Sequence, residues 1–375
     1  MSFTLLRTTA FRNLADAEID IQGKDVFLIG ENGQGKSNFL EALYFCSYAS
    51  SFRGCKDKDL IKAGEKDCSA SLFLDSSIHK NVTITIKDGK KTIALDGKKI
   101  EDRKELLSVA PSVVFCHEDM DFVAGTPERR RWFFDQTRSL WDPLYLEDLR
   151  KYRHILKSRN TLLKNHAMPV LDEESSATLD ALDPLLAQYG MELTAKRRKT
   201  AEEFSLVFEP LYREISGIAG IGVNYIPSYK IENVDAIIAL LAGKRGADIS
   251  MGVSLFGPHR DRYLFTREGK EFSGNASTGQ RRLLALLLRI AQAKVFTEKT
   301  GKKPVLLLDD VLLELDGEKR RKFISIMPEY EQAFFTFLPE EPFESYRKLD
   351  TLVYYLDSGR LTGETGKPRL SPGSL

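Results

Sequence analysis

The sequence DVFLIGENGQGKSNFLEALYF, residues 25–45, joins an apolar run, a glycine-rich turn and a helical pattern. Within it, Gly30 to Ser37 read GENGQGKS and fit the pattern GxxxxGK[ST]. From average residue usage, a chance match in a chain of this length is on the order of one in a hundred. The strand before the turn and the helix after it lower that chance further. The stretch therefore predicts a phosphate-binding loop.

Glycines let the backbone N–H groups of such a loop turn inward and hold phosphates at a helix N-terminus. Lys36 is expected to neutralise the β- and γ-phosphates and to assist catalysis, and Ser37 is expected to bind Mg²⁺. The lysine and the hydroxyl indicate ATP with its metal, not a dinucleotide. The predicted nucleotide-binding residues of the loop are Gly30, Glu31, Asn32, Gly33, Gln34, Gly35, Lys36, Ser37 and Asn38.

A second acidic group is needed to hold the metal, and the stretch PVLLLDD at residues 304–310 supplies one. An apolar strand, residues 305–308, runs directly into Asp309 and Asp310. We expect Asp309 to hold Mg²⁺ and Asp310 to orient or deprotonate the attacking water. The alternative is a pair of aspartates that caps a helix. Most of the chain separates this strand from Lys36, which argues for a large moving part.

A third motif, ASTGQRRLLAL at residues 276–286, places a small turn before an almost wholly apolar helix. A turn at a helix N-terminus is a second anion site in the same chain. Two such sites can act at once on γ-phosphates only if two copies face each other. The motif therefore predicts a homodimer that sandwiches ATP between the P-loop of one copy and the Ser277 turn of the other.

The region 1–110 is predicted to be β-rich, with a hairpin at Asp88-Gly89. Residues 140–216 show helical periodicity, interrupted at Arg159, and the polar stretch 164–178 is expected to turn the chain. Two helices of about 20 residues each form either a projecting hairpin, about 30 Å long, or an ordinary helical subdomain. Short strands, a helix at 278–296 and a disordered tail are expected to follow.

Composition limits the function less than the motifs do. Lysine and arginine total 55 against 54 acidic residues, so the net charge of +1 neither demands nor excludes a nucleic-acid partner. The N-terminus lacks the apolar segment of a signal peptide, and residues 283–288 are too short to cross a bilayer. The cysteines lack metal-ligand spacing and favour reduced thiols. We therefore expect a soluble cytoplasmic protein without a membrane partner.

Several motifs together resemble the bacterial RecF family, which are ATPases of the ABC/SMC kind that act in DNA replication and repair. The resemblance implies an α/β fold, an ABC-type (SMC-like) P-loop ATPase head with a short helical arm lobe. The expected division is 1–115, 116–299 and 300–375. The motifs in chain order are FRNL (11–14), the P-loop, SFRGCKDKDLI (51–61), FCHEDMDFVAGTPERRRWFFD (115–135), GPHRD (257–261), ASTGQRRLLAL and LLLDDVLLELD (306–316).

The resemblance also implies roles for individual residues. Asp309 matches the Walker B aspartate and Asp310 the catalytic carboxylate. Ser277, Gly279 and Gln280 match the signature motif, which acts in trans. Glu314, Leu315 and Asp316 match the D-loop. Segments that approach the nucleotide match Arg12, Asn13, His259 and Arg260. The sequence departs from the family at His117 and Leu313. The last strand offers Thr336 but no switch histidine, so hydrolysis is expected to be weak.

The function that the resemblance implies is an ATP-dependent DNA clamp. An ATP-bound homodimer would close on double-stranded DNA near a ds/ss gap junction, and RecR- and RecO-like mediators would then help to load a recombinase. Among the basic clusters, Arg130 and Arg131 are the candidate contacts to the DNA backbone. The alternatives are a transport ATPase subunit, a chromosome structural protein with long coiled coils, and a metabolic kinase.

Overall fold

The computed structural model describes residues 2–165, 172–230, 233–314 and 317–363. The chain divides into two compact units, the first of Met1–Asp119 and Gln292–Leu375 and the second of Met120–Ala291. Residues 116–119 and 292–299, grouped with the second lobe by the sequence analysis, fall in the first unit. The expected tail and two residues of the expected D-loop, Leu315 and Asp316, lie outside the described residues.

The described residues form α-helices and strands in both units. The strands are β1 (Ser2–Thr9), β2 (Ala17–Asp20), β3 (Asp25–Ile29), β4 (Cys68–Asp75), β5 (Asn81–Lys87), β6 (Lys90–Leu95), β7 (Lys98–Ile100), β8 (Ser112–Phe115), β9 (Ile221–Ile226), β10 (Arg262–Arg267), β11 (Lys270–Glu271), β12 (Val305–Leu308), β13 (Gln332–Phe337), β14 (Leu352–Asp357) and β15 (Arg360–Gly363). The helices are α1 (Lys36–Tyr48), α2 (Lys104–Val109), α3 (Pro127–Ser139), α4 (Pro143–Asn165), α5 (Glu173–Ser216), α6 (Val234–Met251), α7 (Thr278–Thr300) and α8 (Gly317–Ser325). Through the part of the chain that the structure describes, no helix combines the length and the apolar character needed to cross a membrane.

The sheet that carries the P-loop has the strand order β15-β14-β3-β13-β12-β8, and all its pairings are parallel except that of β14 with β15. Strands β3, β8, β12 and β13 are buried along their whole length, which is the pattern of a parallel sheet covered on both faces. Only β13 separates β3 from β12. The carboxyl ends of these parallel strands therefore bring the P-loop and Asp309 to the same edge.

The β-rich character predicted for the N-terminal region is confirmed by a second sheet in the first unit, with the antiparallel order β2-β1-β4-β5-β6-β7. Its β5–β6 connection is the predicted hairpin. Asp88 and Gly89 both have positive φ, 49° and 70°, as the two central residues of a type I′ turn require.

The second unit holds helices α3 to α6 and the three-stranded sheet β11-β10-β9. Helices α4 and α5 run antiparallel, because Asp148 pairs with Lys196 and Arg159 with Asp183. Helix α5 begins at Glu173, inside the stretch that was predicted to be a turn. Helix α6 was missed by the sequence analysis, and its Ile237 and Leu241 join the apolar core between α4 and α5.

Two arginines lie inside the second unit, and one of them, Arg159, was predicted from the sequence only as an interruption of the helical pattern. The side chain of Arg159 is fully buried and donates to Asp183 at 2.8 Å and to Asp248 at 2.7 Å. Arg197 is 4% exposed and binds Asp135 through Nε and Nη2 at 2.9 and 2.8 Å. Buried charges require such partners. Both arginines therefore hold helices together.

Candidate nucleotide-binding site

The P-loop joins the fully buried strand β3 to helix α1, which begins at Lys36. Gly35 occupies the N-cap position with φ of 113°, and no side chain caps the helix. The first N–H groups of α1 are consequently left for an anion. Lys36 is 4% exposed, and its ammonium group donates to the carbonyl oxygen of Gly30 at 2.6 Å.

The loop encloses a cavity of about 200 Å³. Most of the predicted nucleotide-binding residues line it, and Asp310 faces it from the end of β12. Gln34 instead turns toward β14–β15, where its Oε1 accepts the N–H of Ser358 at 2.5 Å. The lining residues are Glu31, Asn32, Gly33, Gly35, Lys36, Ser37, Asn38, Arg53 and Asp310.

Asn13 and Gly359 support the loop from outside the cavity. Asn13 donates to the carbonyl oxygen of Gly33 at 3.0 Å and accepts from Asn38 at 2.8 Å. Gly359 donates its N–H to the carbonyl oxygen of Gln34 at 3.0 Å. Its φ is 77°, and a Cβ atom there would lie 1.9 Å from the carbonyl oxygen of Asn13. The loop therefore depends on the absence of a side chain at position 359.

Asp309 directly follows strand β12 and is partly buried. Burial raises the pKa of Asp309 to about 6, a hydrogen bond from Ser37 opposes this shift, and the neighbouring Asp310 carboxylate adds to it. The Oδ1 atom of Asp309 is buried and has no hydrogen-bond partner among the described residues. An unpaired carboxylate oxygen beside a serine hydroxyl fits a hard divalent cation, which takes oxygen ligands.

Asp310 is held by Thr336 on the adjacent strand β13. The Thr336 hydroxyl accepts the backbone N–H of Asp310 at 2.7 Å and donates to its Oδ1 at 2.7 Å. The carbonyl oxygen of Leu308 is a more distant acceptor at 3.4 Å. From the sequence, Thr336 was noted without a role.

Arg53 was missed as a candidate, although it lies in the motif SFRGCKDKDLI that was quoted for the family resemblance. It lines the cavity and donates to Asn38 Oδ1 at 2.8 Å. Behind it, Glu41 is fully buried and accepts from Arg12 at 2.9 and 3.1 Å. The guanidinium group of Arg12 is thus directed to Glu41 and Cys55, whereas Asn13 reaches the loop itself.

The expected signature turn belongs to the second unit and lies at the start of α7. Ser277 and Gly279 are exposed, and an added Cβ at Gly279 would meet no atom within 4 Å. The Gln280 side chain accepts the N–H of Ser277 at 2.8 Å, and the Ser277 hydroxyl accepts the N–H of Gln280 at 3.2 Å. This reciprocal arrangement is a capping box that presents the turn on the surface.

The two candidate DNA contacts are half-buried in the second unit. Arg130 donates to the carbonyl oxygens of Tyr263 and Val123 at 3.3 and 3.1 Å. Arg131 donates to the carbonyl oxygen of Asp261 at 2.7 Å and lines a cavity of about 390 Å³.

The GPHRD residues lie in the same unit. His259 and Arg260 line that cavity. His259 contacts Tyr152 and the carbonyl oxygen of Ser254 at 2.7 and 2.9 Å, and Arg260 donates to the same carbonyl at 3.3 Å. Within the second unit, both side chains therefore bind the carbonyl oxygen of Ser254.

Comparison with known proteins agrees with this geometry. The family model for the RecF/RecN/SMC N terminal domain matches residues 3–357. An Smc head domain from Pyrococcus furiosus superposes with a TM-score of 0.53 at 17% identity, covering 96% of this chain and 95% of that one. The fold and the site define a P-loop ATPase head of the ABC/SMC class, which confirms the predicted fold class.

Within that class, the chain is similar to RecF proteins. The DNA replication and repair protein RecF of Treponema pallidum is 43% identical over 93% of this chain and 97% of its own. RecF of Clostridium perfringens is 34% identical over 95% of this chain and 98% of its own. The solved structure of the recombination mediator protein RecF with ATP in the RecFOR pathway gives a TM-score of 0.86 at 27% identity, covering 96% and 97%. The chain belongs to the RecF family.

Proposed function

We propose that this chain is an ATP-dependent DNA-binding switch that acts in DNA replication, repair and recombination. One observation supports this proposal most strongly: a single cavity joins the uncapped start of α1, the ammonium group of Lys36 and the carboxylate of Asp310. These groups suit a nucleoside triphosphate. The ATP complex of a RecF protein with the same fold supports ATP as that nucleotide.

Ser37 and Asp309 would hold Mg²⁺, because the buried Oδ1 of Asp309 lacks a partner among the residues described. When bound, the metal would neutralise charge on the β- and γ-phosphates. Lys36 would leave the carbonyl of Gly30 for a phosphate oxygen, and Asp310 would orient the attacking water. Hydrolysis in this site is weak and serves to release the switch.

The switch is a homodimer in which each copy contributes to the site of its partner. The exposed turn at Ser277–Gln280 meets the ATP bound to the partner's P-loop, so closure depends on ATP. The closed dimer binds the backbone of duplex DNA near a ds/ss gap junction, in the cytoplasm. The RecFOR setting of the structural relative supports RecO- and RecR-like mediators as further partners in recombinase loading.

The alternatives have less support. Helices α4 and α5, of 23 and 44 residues, are too short for the long coiled coils of a chromosome structural protein. A transport ATPase and a metabolic kinase would each leave the family membership of the chain without an explanation.

The test compares the native chain with Lys36→Ala and with the control Lys66→Ala, which changes an exposed lysine of the same unit. ATP binding is measured by titration, and dimerisation and duplex binding by sedimentation with and without ATP·Mg²⁺. We expect ATP to drive both events in the native and control proteins, and Lys36→Ala to lose all three activities. Duplex binding by the native chain that is independent of ATP would overturn the proposal.

A further inference from the structure

Helix α4 carries an exposed groove of about 380 Å³ that lies wholly within the second unit. The residues that line it recur at intervals of three and four, so they share one face of the helix. Among the residues that the structure describes, no acidic side chain lines this groove. The lining residues are Arg153, Leu156, Lys157, Asn160, Thr161 and Lys164.

The positive charge of the groove is largely uncompensated. Lys157 and Lys164 are exposed, and neither forms an ion pair within the described ranges of the chain. The Arg153 side chain is 57% exposed and lies 3.5 Å from Asp135. That carboxylate already accepts from Nε and Nη2 of Arg197, so it neutralises Arg153 only in part.

The neutral residues of the groove also favour an anion. The Oδ1 atom of Asn160 accepts both the N–H and the hydroxyl of Ser254, at 2.8 and 2.7 Å. Within the described ranges, the Nδ2 donor of that amide has no hydrogen-bond partner. Thr161 donates its hydroxyl proton to the carbonyl oxygen of Lys157 at 2.9 Å. The hydroxyl oxygen of Thr161 is therefore left as an acceptor, and the donors that match phosphate oxygens are the amide of Asn160 and the basic side chains of the groove.

The groove continues into a second cavity, of about 390 Å³, which shares Arg153 and Leu156 and adds Arg131 and Arg260. Two acidic residues, the exposed Glu128 and the buried Asp135, also line that cavity. Along α4, Arg153 and Lys164 lie about 17 Å apart. This length corresponds to about five nucleotides of one strand of duplex DNA.

We propose that this basic groove of α4, with Lys157 and Lys164 as its principal contacts, binds the phosphate backbone of duplex DNA. The inference rests on the proposed function and assigns the DNA surface that it leaves open. Base recognition is not part of it, because the groove offers charge and simple donors. Arg131 lines the adjoining cavity and would contribute through the nitrogens that do not bind the carbonyl oxygen of Asp261, whereas Arg130 is not among the residues that line either cavity.

The test is the salt dependence of duplex binding by the double variant Lys157→Gln/Lys164→Gln with ATP·Mg²⁺. Loss of two phosphate contacts should reduce the slope of log K against log salt by about 2, and weaken binding about tenfold or more at low salt. ATP binding and dimerisation should remain native. The matched control is Lys87→Gln/Lys90→Gln, with the same charge change on the exposed β5–β6 hairpin.

The outcomes separate the inference from the proposed function. If the native chain binds duplex DNA and the double variant binds with an unchanged slope, the inference is wrong and the function stands. If the native chain does not bind duplex DNA under ATP, the function fails as well. If the variant loses affinity for polyglutamate alone, the groove takes an acidic protein segment and the inference is overturned.

Discussion

Thr336 and Asp310 are joined by two hydrogen bonds of 2.7 Å, one to the backbone N–H and one to the carboxylate of the aspartate. A single hydroxyl therefore fixes both the main chain and the side chain of Asp310. The φ angle of Asp310 is 52°, a region that is unfavourable for residues other than glycine. Thr336 thus stabilises the orientation in which the carboxylate faces the P-loop cavity.

Removing the Thr336 hydroxyl should slow ATP hydrolysis and leave ATP binding intact. We expect Thr336→Val, which keeps the shape, to lower kcat about tenfold, because the carboxylate loses its donor. Thr336→Ser should restore most of the rate. Single-turnover hydrolysis and equilibrium ATP binding separate the two effects, and a native kcat in Thr336→Val would show that Thr336 does not position Asp310.

Gly359→Ala should displace the P-loop. The new Cβ would lie 1.9 Å from the carbonyl oxygen of Asn13, which is the residue that bonds to Gly33. Gly97→Ala is the matched control, since its φ of 78° carries the same backbone strain with no atom within 4 Å. We expect the control to cost about 1 kcal/mol and Gly359→Ala to cost more and weaken ATP binding. Equal losses in chemical denaturation would contradict this account.

Arg159→Ala should destabilise the second unit by about 3–5 kcal/mol, because it removes the cation that the buried Asp248 binds and leaves Asp183 with Arg245 alone. Asp183 and Asp248 are 2% and 1% exposed at the side chain. Urea unfolding followed by circular dichroism measures the loss. Lys157→Ala, two residues earlier on the exposed face, is the control and should change stability by less than about 0.5 kcal/mol. A similar small effect for Arg159→Ala would mean that the buried network is not stabilising.

His259 should make the protein sensitive to acid. Burial lowers the pKa of His259 to about 4, against the weaker opposing effect of its hydrogen bond to the Ser254 carbonyl; the charges of Arg260, Arg131 and Arg197 lower it further. Its Nε2 must carry the proton, because a carbonyl oxygen can only accept. The folded state therefore holds neutral histidine, whereas the unfolded chain binds a proton near pH 6.5.

Stability from this group is complete above pH 6.5 and is lost as the pH falls toward 4. Between pH 7.5 and pH 5 the native protein should lose about 2 kcal/mol more than His259→Gln does. Urea unfolding of both proteins at the two pH values gives this difference. Parallel losses would show that His259 is protonated equally in the folded and unfolded states.

The parts of the fold that the sequence predicted correctly are those in which local pattern is sufficient. The local sequence pattern predicts both the apolar strand before Asp309 and the glycine turn before Lys36. The ends of these elements lie close together because the carboxyl ends of parallel strands share one edge of the sheet. Helix α6 was missed because Gly243 and Gly246 weaken its helical signal. Its capping residue Asn233, whose side chain accepts the N–H of Ala236, was a signal that could have revealed it.

Buried charges were harder to predict because their partners are distant in the chain. Arg159 meets Asp183 and Asp248, 24 and 89 residues away, so its sequence neighbourhood shows only an interruption. Arg53 was overlooked for a similar reason: its place at the cavity depends on contacts with Asn38 and the buried Glu41. Pairing of this kind is a property of the folded structure and not of a motif.

The central claim is that ATP closes a homodimer in which each copy completes its partner's site. Sedimentation with ATP·Mg²⁺ and duplex DNA tests it for Ser277→Arg, for Lys36→Ala and for an equal mixture of the two. Each variant alone should remain monomeric and unbound, although Ser277→Arg still binds ATP. The mixture should regain dimer and DNA binding, because one of its two composite sites is intact. Dimerisation by Ser277→Arg alone, or a mixture that is as inactive as its components, would contradict the claim.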